Sequence, residues 1–215
     1  MLSMEKLKAK KILNLLDNYI KNPETELEYS TNFELLVAVI LSAQCTDKRV
    51  NMVTKELFKE FNTPWDFANM PLGVLEEKIH ACGFYHNKAK NIIACSKKLV
   101  EEFDGQVPSD FESLCSLPGV GRKTANVMLI VAFNTPAIPV DTHIFRVSNR
   151  IGLTNAKTEA ECEKQLMELF SDNKAIWGKL HHLILLFGRY HCKAIKPECS
   201  TCILSKYCKH YNNKG

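Results

Sequence analysis

A tight turn between two helical patterns constrains the fold of this 215-residue chain more than any other segment. The turn spans residues 117–121, LPGVG, where proline presets one φ angle and the two glycines permit backbone conformations that other residues resist. Before the turn, residues 109–112 fit a helix capping box, and an apolar run at helical spacing follows it in residues 127–133. The segment therefore predicts a helix, a hairpin and a second helix.

Such a hairpin can bind a phosphate group. Its backbone N–H groups, with those that open the second helix, face outward and can hold a phosphate oxygen without reading the bases. Lys123 lies beside Arg122 at the predicted start of that helix, where positive potential favours a neutral, nucleophilic amine. An ordinary turn between two helices and a solvated surface lysine are the alternatives that the residues alone leave open.

Helical periodicity continues through most of the chain. Apolar residues recur at helical spacing in residues 12–20, 50–61 and 92–103, and no alternating strand pattern or Asn-Gly hairpin interrupts them. Residues 35–41 have the composition of a buried strand, but a capping box precedes them and favours a buried helix. The predicted fold class is all-α.

The distribution of charge is more informative than the net charge of +4. Residues 113–157 carry five basic residues against one acid, and residues 188–215 carry six against one. A basic face of this kind favours a phosphate backbone as partner, with evenly solvated charge as the alternative. No apolar run is long enough to span a bilayer, and the charged N-terminus has no secretory signal. We expect a soluble, cytoplasmic protein without a membrane segment.

The nine cysteines fall into two groups. Five are scattered among helical apolar positions and indicate reduced thiols rather than a disulfide framework. The other four follow the spacing C-x6-C-x2-C-x5-C within seventeen residues and predict a metal site, formed by Cys192, Cys199, Cys202 and Cys208. Zinc and an iron-sulfur cluster both accept four cysteine ligands, so the spacing alone does not choose between them.

Asp141 stands in a second short motif, VDTHIFR at residues 140–146. It follows a loop that contains Pro136 and Pro139 and precedes a helical pattern, so it lies near a predicted helix N-terminus. An aspartate in this position is usually a helix cap, stabilised by unpaired N–H groups and by the helix dipole.

Three motifs occur in order, namely LPGVGRKTANV at residues 117–127, VDTHIFR at residues 140–146 and the four-cysteine tail. Together they closely resemble the endonuclease III family, whose members are bifunctional DNA glycosylases and abasic-site lyases with a helix-hairpin-helix. The resemblance covers residues 32–208. It implies a base-excision repair enzyme that acts as a monomer on double-stranded DNA containing damaged bases or abasic sites.

The resemblance also implies an architecture of two helical lobes with a DNA cleft between them. Residues 25–135 would form a six-helix barrel that ends in the helix-hairpin-helix. Residues 1–24 and 136–215 would form the second lobe, which carries the four-cysteine loop. The resemblance further implies that the four cysteines hold a [4Fe-4S] cluster, which folds that loop so that Lys193 and Lys196 meet phosphates.

The catalytic residues that the resemblance implies are Lys123 and Asp141. Lys123 would attack C1′ of a flipped-out nucleotide as an oxidised or ring-saturated pyrimidine departs, and Asp141 would stabilise positive charge and move protons. The resulting imine would permit β-elimination, which cleaves the strand 3′ to the site. Gln44 would fill the gap left by the base, where it is otherwise a helix-end amide, and Phe84 aligns with a second wedge that is typically leucine. The remaining DNA contacts expected are Pro118, Gly119, Val120, Gly121, Arg122 and His143.

Three other functions share part of these features. An adenine-specific mismatch glycosylase has the hairpin and the cluster, but typically carries serine at the position of Lys123 and a long additional C-terminal domain. An alkylation-damage glycosylase differs in the shape of its base pocket. A DNA-binding or redox-sensing module without enzymatic activity would need neither Lys123 nor Asp141, and incision of an abasic duplex distinguishes it from an enzyme.

Overall fold

The computed structural model describes residues 4–212 of the chain. These residues contain no β-strand, which confirms the predicted all-α class. The helices in chain order are α1 (Met4–Tyr19), α2 (Asn32–Ser42), α3 (Asp47–Glu60), α4 (Pro64–Ala68), α5 (Leu72–Ile79), α6 (Tyr85–Phe103), α7 (Phe111–Cys115), α8 (Arg122–Ala132), α9 (Thr142–Ile151), α10 (Glu159–Leu169), α11 (Trp177–Tyr190) and α12 (Lys209–Asn212).

The chain divides into two compact units. The middle unit comprises residues 26–134 and contains helices α2 to α8. The terminal unit comprises the described residues up to Thr25 and from Thr135 onward, and contains α1 together with α9 to α12. Among the described helices, none is both long and apolar enough to cross a membrane.

Helix α2 forms the centre of the middle unit. All of residues 33–41 are buried, and the helix packs against α3, α6 and α8. The hydroxyl of Thr31 caps it by accepting the N–H of Glu34 at 3.1 Å. The prediction of a buried helix rather than a strand at residues 35–41 is therefore confirmed, because capping and burial on all sides decide its conformation.

Helix α7, which leads into the hairpin, begins one residue later than the sequence pattern predicts. The carboxylate of Asp110 accepts the N–H of Ser113 at 2.9 Å and caps the helix, and this hydrogen bond lowers the pKa of Asp110. The capping box expected at residues 109–112 is therefore wrong. Serine and aspartate are equally good N-cap residues, so their order in the sequence cannot show which of them caps the helix.

The terminal unit is built around α11, which packs against α9 and α1. Gly188 permits a close approach to α9, since an added Cβ would stand 3.0 Å from Val147 Cγ2 and 3.1 Å from the Cβ of His143. A buried hydrogen bond of 2.7 Å joins His181 Nδ1 to the carbonyl of Pro139. These contacts fix the loop and the helix on either side of Asp141.

Candidate active site

The hairpin at residues 117–121 closes through a hydrogen bond of 3.1 Å from the N–H of Val120 to the carbonyl of Leu117. Leu117 and Val120 are buried, whereas Gly119 and Gly121 are exposed. The two apolar residues anchor the turn in the middle unit. The backbone between and after them is left accessible to solvent, which is the arrangement that a phosphate contact requires.

The two glycines of the hairpin differ in their backbone requirements. Gly119 has φ +80, and a Cβ there would lie 2.8 Å from the Cβ of Asn91, so conformation and space both demand glycine. Gly121 has φ −92 and ψ 178, which any residue adopts, and nothing lies within 4 Å of an added Cβ. The expectation that both glycines relieve backbone strain is therefore correct for Gly119 and wrong for Gly121.

Helix α8 begins without a side-chain cap. Gly121 occupies the N-cap position, and within residues 4–212 no side-chain hydrogen bond caps the helix there. Arg122 and Lys123 are exposed in that turn, and the Arg122 guanidinium lies 5.3 Å from the ring centroid of Phe111. The first N–H groups of the helix and its positive dipole end are thus available to an anion. Lys123 presents its amine at the same place.

Asp141 caps helix α9. Its Oδ1 accepts the N–H of Ile144 at 2.8 Å, and its carbonyl accepts the N–H of Phe145 at 2.8 Å. The side chain is half-buried, and no hydrogen bond within residues 4–212 engages Oδ2. The predicted capping role is confirmed. One carboxylate oxygen is fixed by the helix start, and the catalytic role assigned to Asp141 stays a prediction.

His143 contacts Arg146 rather than standing alone. Its Nδ1 lies 3.2 Å from Arg146 Nη2, and the same guanidinium donates to the carbonyls of Gly188, at 2.8 Å, and Cys192, at 3.1 Å. Burial lowers the pKa of Arg146, with smaller contributions from the charges around it. Arg146 therefore joins α9 to the end of α11 and to the start of the cysteine loop, residues 192–199.

Arg150 holds the same loop one helical turn further on. Its Nη1 donates to the carbonyl of Lys193 at 2.8 Å, its Nη2 donates to Ala194 at 3.0 Å, and Nη1 lies 3.8 Å from the sulfur of Cys192. Sequence reasoning counted Arg146 and Arg150 only as part of a basic face. Their spacing of four residues on one helix was the available signal that they act together.

Lys193 and Lys196 are both exposed on the cysteine loop. Lys193 Nζ lies 3.3 Å from Glu198 Oε1, so its charge is partly neutralised within the loop. Lys196 has φ +51, a conformation that L side chains rarely adopt. Of the two lysines predicted to contact phosphate, Lys196 is the one whose charge this ion pair does not neutralise.

All four cysteines of the tail line one small cavity, of about 20 Å³, at the base of this loop. Phe187, Pro197 and Arg150 line it as well, and the backbone N–H of Leu204 donates to Cys202 Sγ at 3.4 Å. Within residues 4–212, no three metal-ligating side chains converge on one point. The donor set of four thiols around a shared space, supported by an N–H and a guanidinium, nevertheless fits a metal group with several sulfur ligands.

Gln44 and Phe84 stand at the tips of two adjacent turns in the middle unit. Both are exposed and both have positive φ, 52 for Gln44 and 57 for Phe84. The carbonyl of Gln44 lies 3.9 Å from the position of a Cβ on Gly83, which brings the two turns together. The hydroxyl of Thr46 caps α3, the helix that follows Gln44, by accepting the N–H of Arg49.

The distribution of positive φ values marks the predicted DNA contacts. Five residues other than glycine have positive φ among those described, and two of them are Asp104 and Asn134, types that tolerate this conformation. The other three are Gln44, Phe84 and Lys196. Such strain costs on the order of 1–3 kcal/mol per residue and tends to occur at functional sites.

The sequence of the chain is similar to those of known DNA repair proteins. Residues 37–172 match the family model of the HhH-GPD superfamily base excision DNA repair protein. The chain is 48% identical over 198 residues to endonuclease III of Bacillus subtilis, covering 92% of this chain and 90% of that protein. It is 42% identical over 207 residues to endonuclease III of Escherichia coli, covering 96% and 97%.

Comparison with solved structures also identifies endonuclease III as a similar protein. The fold matches a trapped endonuclease III–DNA covalent intermediate with a TM-score of 0.93 and 44% identity, over 100% of this chain and 99% of that one. A thermostable thymine-DNA glycosylase matches with a TM-score of 0.87 at 20% identity, which shows the fold alone. The chain therefore belongs to the HhH-GPD superfamily of base excision DNA repair proteins, and within it to the endonuclease III family.

Proposed function

We propose that this protein is a bifunctional DNA glycosylase and abasic-site lyase that removes oxidised or ring-saturated pyrimidines from duplex DNA. The observation that carries the proposal is the exposed amine of Lys123 in the first turn of α8, directly after the hairpin and without a side-chain cap on the helix. The relatives named above, one of them trapped covalently on DNA, support it.

The first contact with DNA is electrostatic and independent of sequence. The N–H groups of the hairpin and of the open start of α8 donate hydrogen bonds to a phosphate, with Arg122 beside them. Lys193, Lys196 and His143 supply further contacts from the terminal unit. Gln44 and Phe84, held in fixed turns, enter the stack and replace the nucleotide that leaves it, which costs a few kcal/mol of unstacking.

The chemical steps require an amine and a carboxylate. The neutral amine of Lys123 attacks C1′, the bond from C1′ to the base breaks, and the base leaves with the bonding electrons. Asp141 stabilises the positive charge that develops on the sugar and accepts a proton from the attacking nitrogen. Its Oδ1 is held by the cap, so Oδ2 is the oxygen that we assign to this task.

The imine forms when the nitrogen lone pair of Lys123 breaks the C1′–O4′ bond of the sugar and O4′ takes up the proton that Asp141 had accepted, and the lyase steps follow from this imine. The lysine–sugar imine makes the C2′ proton acidic, and loss of that proton breaks the bond from C3′ to its phosphate oxygen. Water then hydrolyses the imine and frees Lys123. The strand is thereby cleaved 3′ to the abasic site by β-elimination.

A [4Fe-4S] cluster would be held by the four cysteines of the tail, Cys192, Cys199, Cys202 and Cys208, in keeping with the iron-sulfur proteins of this family. Four thiols that line one cavity fit a metal group with sulfur ligands, and the resemblance to the endonuclease III family selects the cluster over zinc. When bound, the group would supply folding energy to the loop rather than take part in the bond chemistry. Arg146 and Arg150 then hold the loop so that its lysines face phosphates. We further propose that the protein acts as a monomer in the cytoplasm, at the nucleoid.

The test of the proposed function is reductive trapping. The protein is incubated with a duplex containing one abasic site in the presence of borohydride, and the covalent complex is resolved by denaturing electrophoresis. We expect a trapped band with the parent protein and none with Lys123→Ala. The Lys123→Ala protein should still bind an abasic analogue. Lys97→Ala, at another exposed lysine of the middle unit, is the matched control and should trap normally. Undiminished trapping by Lys123→Ala would exclude Lys123 as the nucleophile.

A further inference from the structure

Each of the two adjacent turns that present Gln44 and Phe84 also carries a cysteine. Cys45 directly follows Gln44, and Cys82 lies two residues before Phe84. Cys82 is buried and Cys45 is half-buried. The reaction proposed above uses neither thiol.

The two thiols lie on turns that contact each other, and the side chain of Cys45 favours the protonated form of Cys82. The turns around them are tied together, because Arg49 Nη1 reaches the carbonyl of Ala81 at 3.5 Å and Gln44 O lies close to Gly83. The pair is therefore built by the packing of two chain segments.

The surroundings give the two sulfur atoms different properties. Burial, followed by the neighbouring Cys45, raises the pKa of Cys82 to about 11, so Cys82 stays a thiol at neutral pH. The buried Lys88, whose Nζ donates to the carbonyl of Leu41 at 2.8 Å, interacts electrostatically with both sulfur atoms and partly offsets the rise in the pKa of Cys82. Cys45 is half-buried whereas Cys82 is buried, so Cys45 is the sulfur of the pair that solvent reaches.

We propose that Cys45 and Cys82 form a reversible disulfide on reaction with a peroxide, and that this bond lowers the affinity of the two turns for DNA. The Cys45 thiolate attacks a peroxide oxygen and becomes a sulfenic acid, releasing the first water. The Cys82 thiol then displaces hydroxide from that sulfur, which leaves as the second water. Two thiols lose two electrons and two protons, and the peroxide is reduced to two molecules of water. A dithiol reductant reverses the change.

The bond would alter the two turns because of its length. A disulfide holds its sulfur atoms about 2.05 Å apart, well inside the separation of two free thiols. Gln44 and Phe84 have positive φ values. The backbone of the two turns can therefore shift only a little before these residues lose that conformation. A displacement of about 1 Å at a positioning residue can reduce a rate by about 10²-fold. This second part of the proposal rests on the proposed function of these turns, whereas the cross-link itself does not.

The cross-link is tested on the full-length protein, purified with its metal group. After limited treatment with hydrogen peroxide and alkylation of the remaining thiols, tryptic digestion should yield residues 22–48 linked to residues 79–88. Dithiothreitol should separate them. Cys82→Ser should instead leave Cys45 as a sulfenic acid, detectable with dimedone. Cys115→Ser, at a half-buried thiol beside Arg122 and Glu112, is the control and should cross-link normally. Absence of the linked peptide under conditions that oxidise Cys45 would overturn the proposal.

The effect on DNA is measured with a duplex carrying a stable abasic analogue. Oxidised protein should bind it at least threefold more weakly than reduced protein, with recovery after dithiothreitol and no change in Cys82→Ser treated alike. The visible absorbance of each sample shows whether peroxide has damaged the metal group, and only samples with equal absorbance are compared. Unaltered affinity in fully cross-linked protein would overturn the proposed effect of the disulfide on DNA binding. Failure of the reduced protein to incise an abasic duplex would instead overturn the proposed function and leave the cross-link standing.

Discussion

Helices α8 and α9 begin in opposite ways. Gly121 leaves the start of α8 without a side-chain cap, and the residues that follow it in the first turn are basic. Asp141 closes the start of α9 with its own carboxylate. An open helix start attracts an external anion, whereas a capped one fixes an internal anion in place. Under the proposed function, one helix start holds a DNA phosphate and the other orients a reacting carboxylate.

The largest effect that tests this comparison is expected from Asp141→Asn. Asparagine caps a helix about as well as aspartate, so the free energy of unfolding should change little. Loss of the charge should slow base excision by about 10²- to 10⁴-fold, because an electrostatic and proton-transfer contribution is removed. Single-turnover excision of an oxidised pyrimidine, measured beside thermal unfolding, gives both quantities.

Two further measurements separate the roles of Asp141. Asp141→Ala should add a loss of about 1 kcal/mol in stability to the loss of activity, because alanine cannot cap. DNA affinity of Asp141→Asn should hold or rise, since one negative charge is removed near phosphates. A well-folded Asp141→Asn protein with nearly parental excision would reduce Asp141 to a helix cap.

The second prediction compares the two glycines before the open helix start. Gly119→Ala forces a Cβ into positive φ and to within 2.8 Å of Asn91, and should cost about 1–3 kcal/mol of stability. Gly121→Ala meets neither problem and should cost no more than about 1 kcal/mol, the loss expected at an N-cap position. Denaturant unfolding measures both. Equal losses would show that the sequence motif, rather than the conformation of one glycine, decides stability.

The sequence predicted the two helix starts because the signals there are local. A Pro-Gly turn followed by basic residues, and an aspartate before an amphipathic helix, act through their own neighbours, and both appear in the structure as expected. The roles of Arg146 and Arg150 could not be predicted in this way. Their partners lie more than forty residues away along the chain, so only the packing of α9 against α11 shows that they hold the cysteine loop.

The proximity of Cys45 and Cys82 escaped sequence reasoning for the same reason. Thirty-seven residues separate the two thiols, and each alone reads as an ordinary apolar position. The backbone strain at Gln44, Phe84 and Lys196 has no sequence signal either, because these residue types do not favour positive φ. Interactions between distant segments and strain imposed by packing are therefore the parts of the site that required the structure.

The smallest expected effect comes from closing the open helix start with Gly121→Ser. There is space for the side chain, and its hydroxyl can accept the N–H of Thr124, three positions further along the chain. Stability should rise by a few tenths of a kcal/mol, because serine caps slightly better than glycine. Affinity for an abasic duplex should fall a few-fold, because the hydroxyl competes with phosphate for that N–H group.

Salt dependence and a second variant sharpen this test. If the parent protein neutralises roughly four to six phosphates, log K against log salt should have a slope of about −4 to −5, and Gly121→Ser should keep that slope, because it removes no charge. Gly121→Asp should bind more weakly than Gly121→Ser at low salt, since it places a negative charge beside Arg122 and Lys123. Gly73→Ser, at an open position of α5, is the control and should match the parent. If Gly121→Ser gains stability and binds DNA as tightly as the parent, the open start of α8 is not the phosphate site.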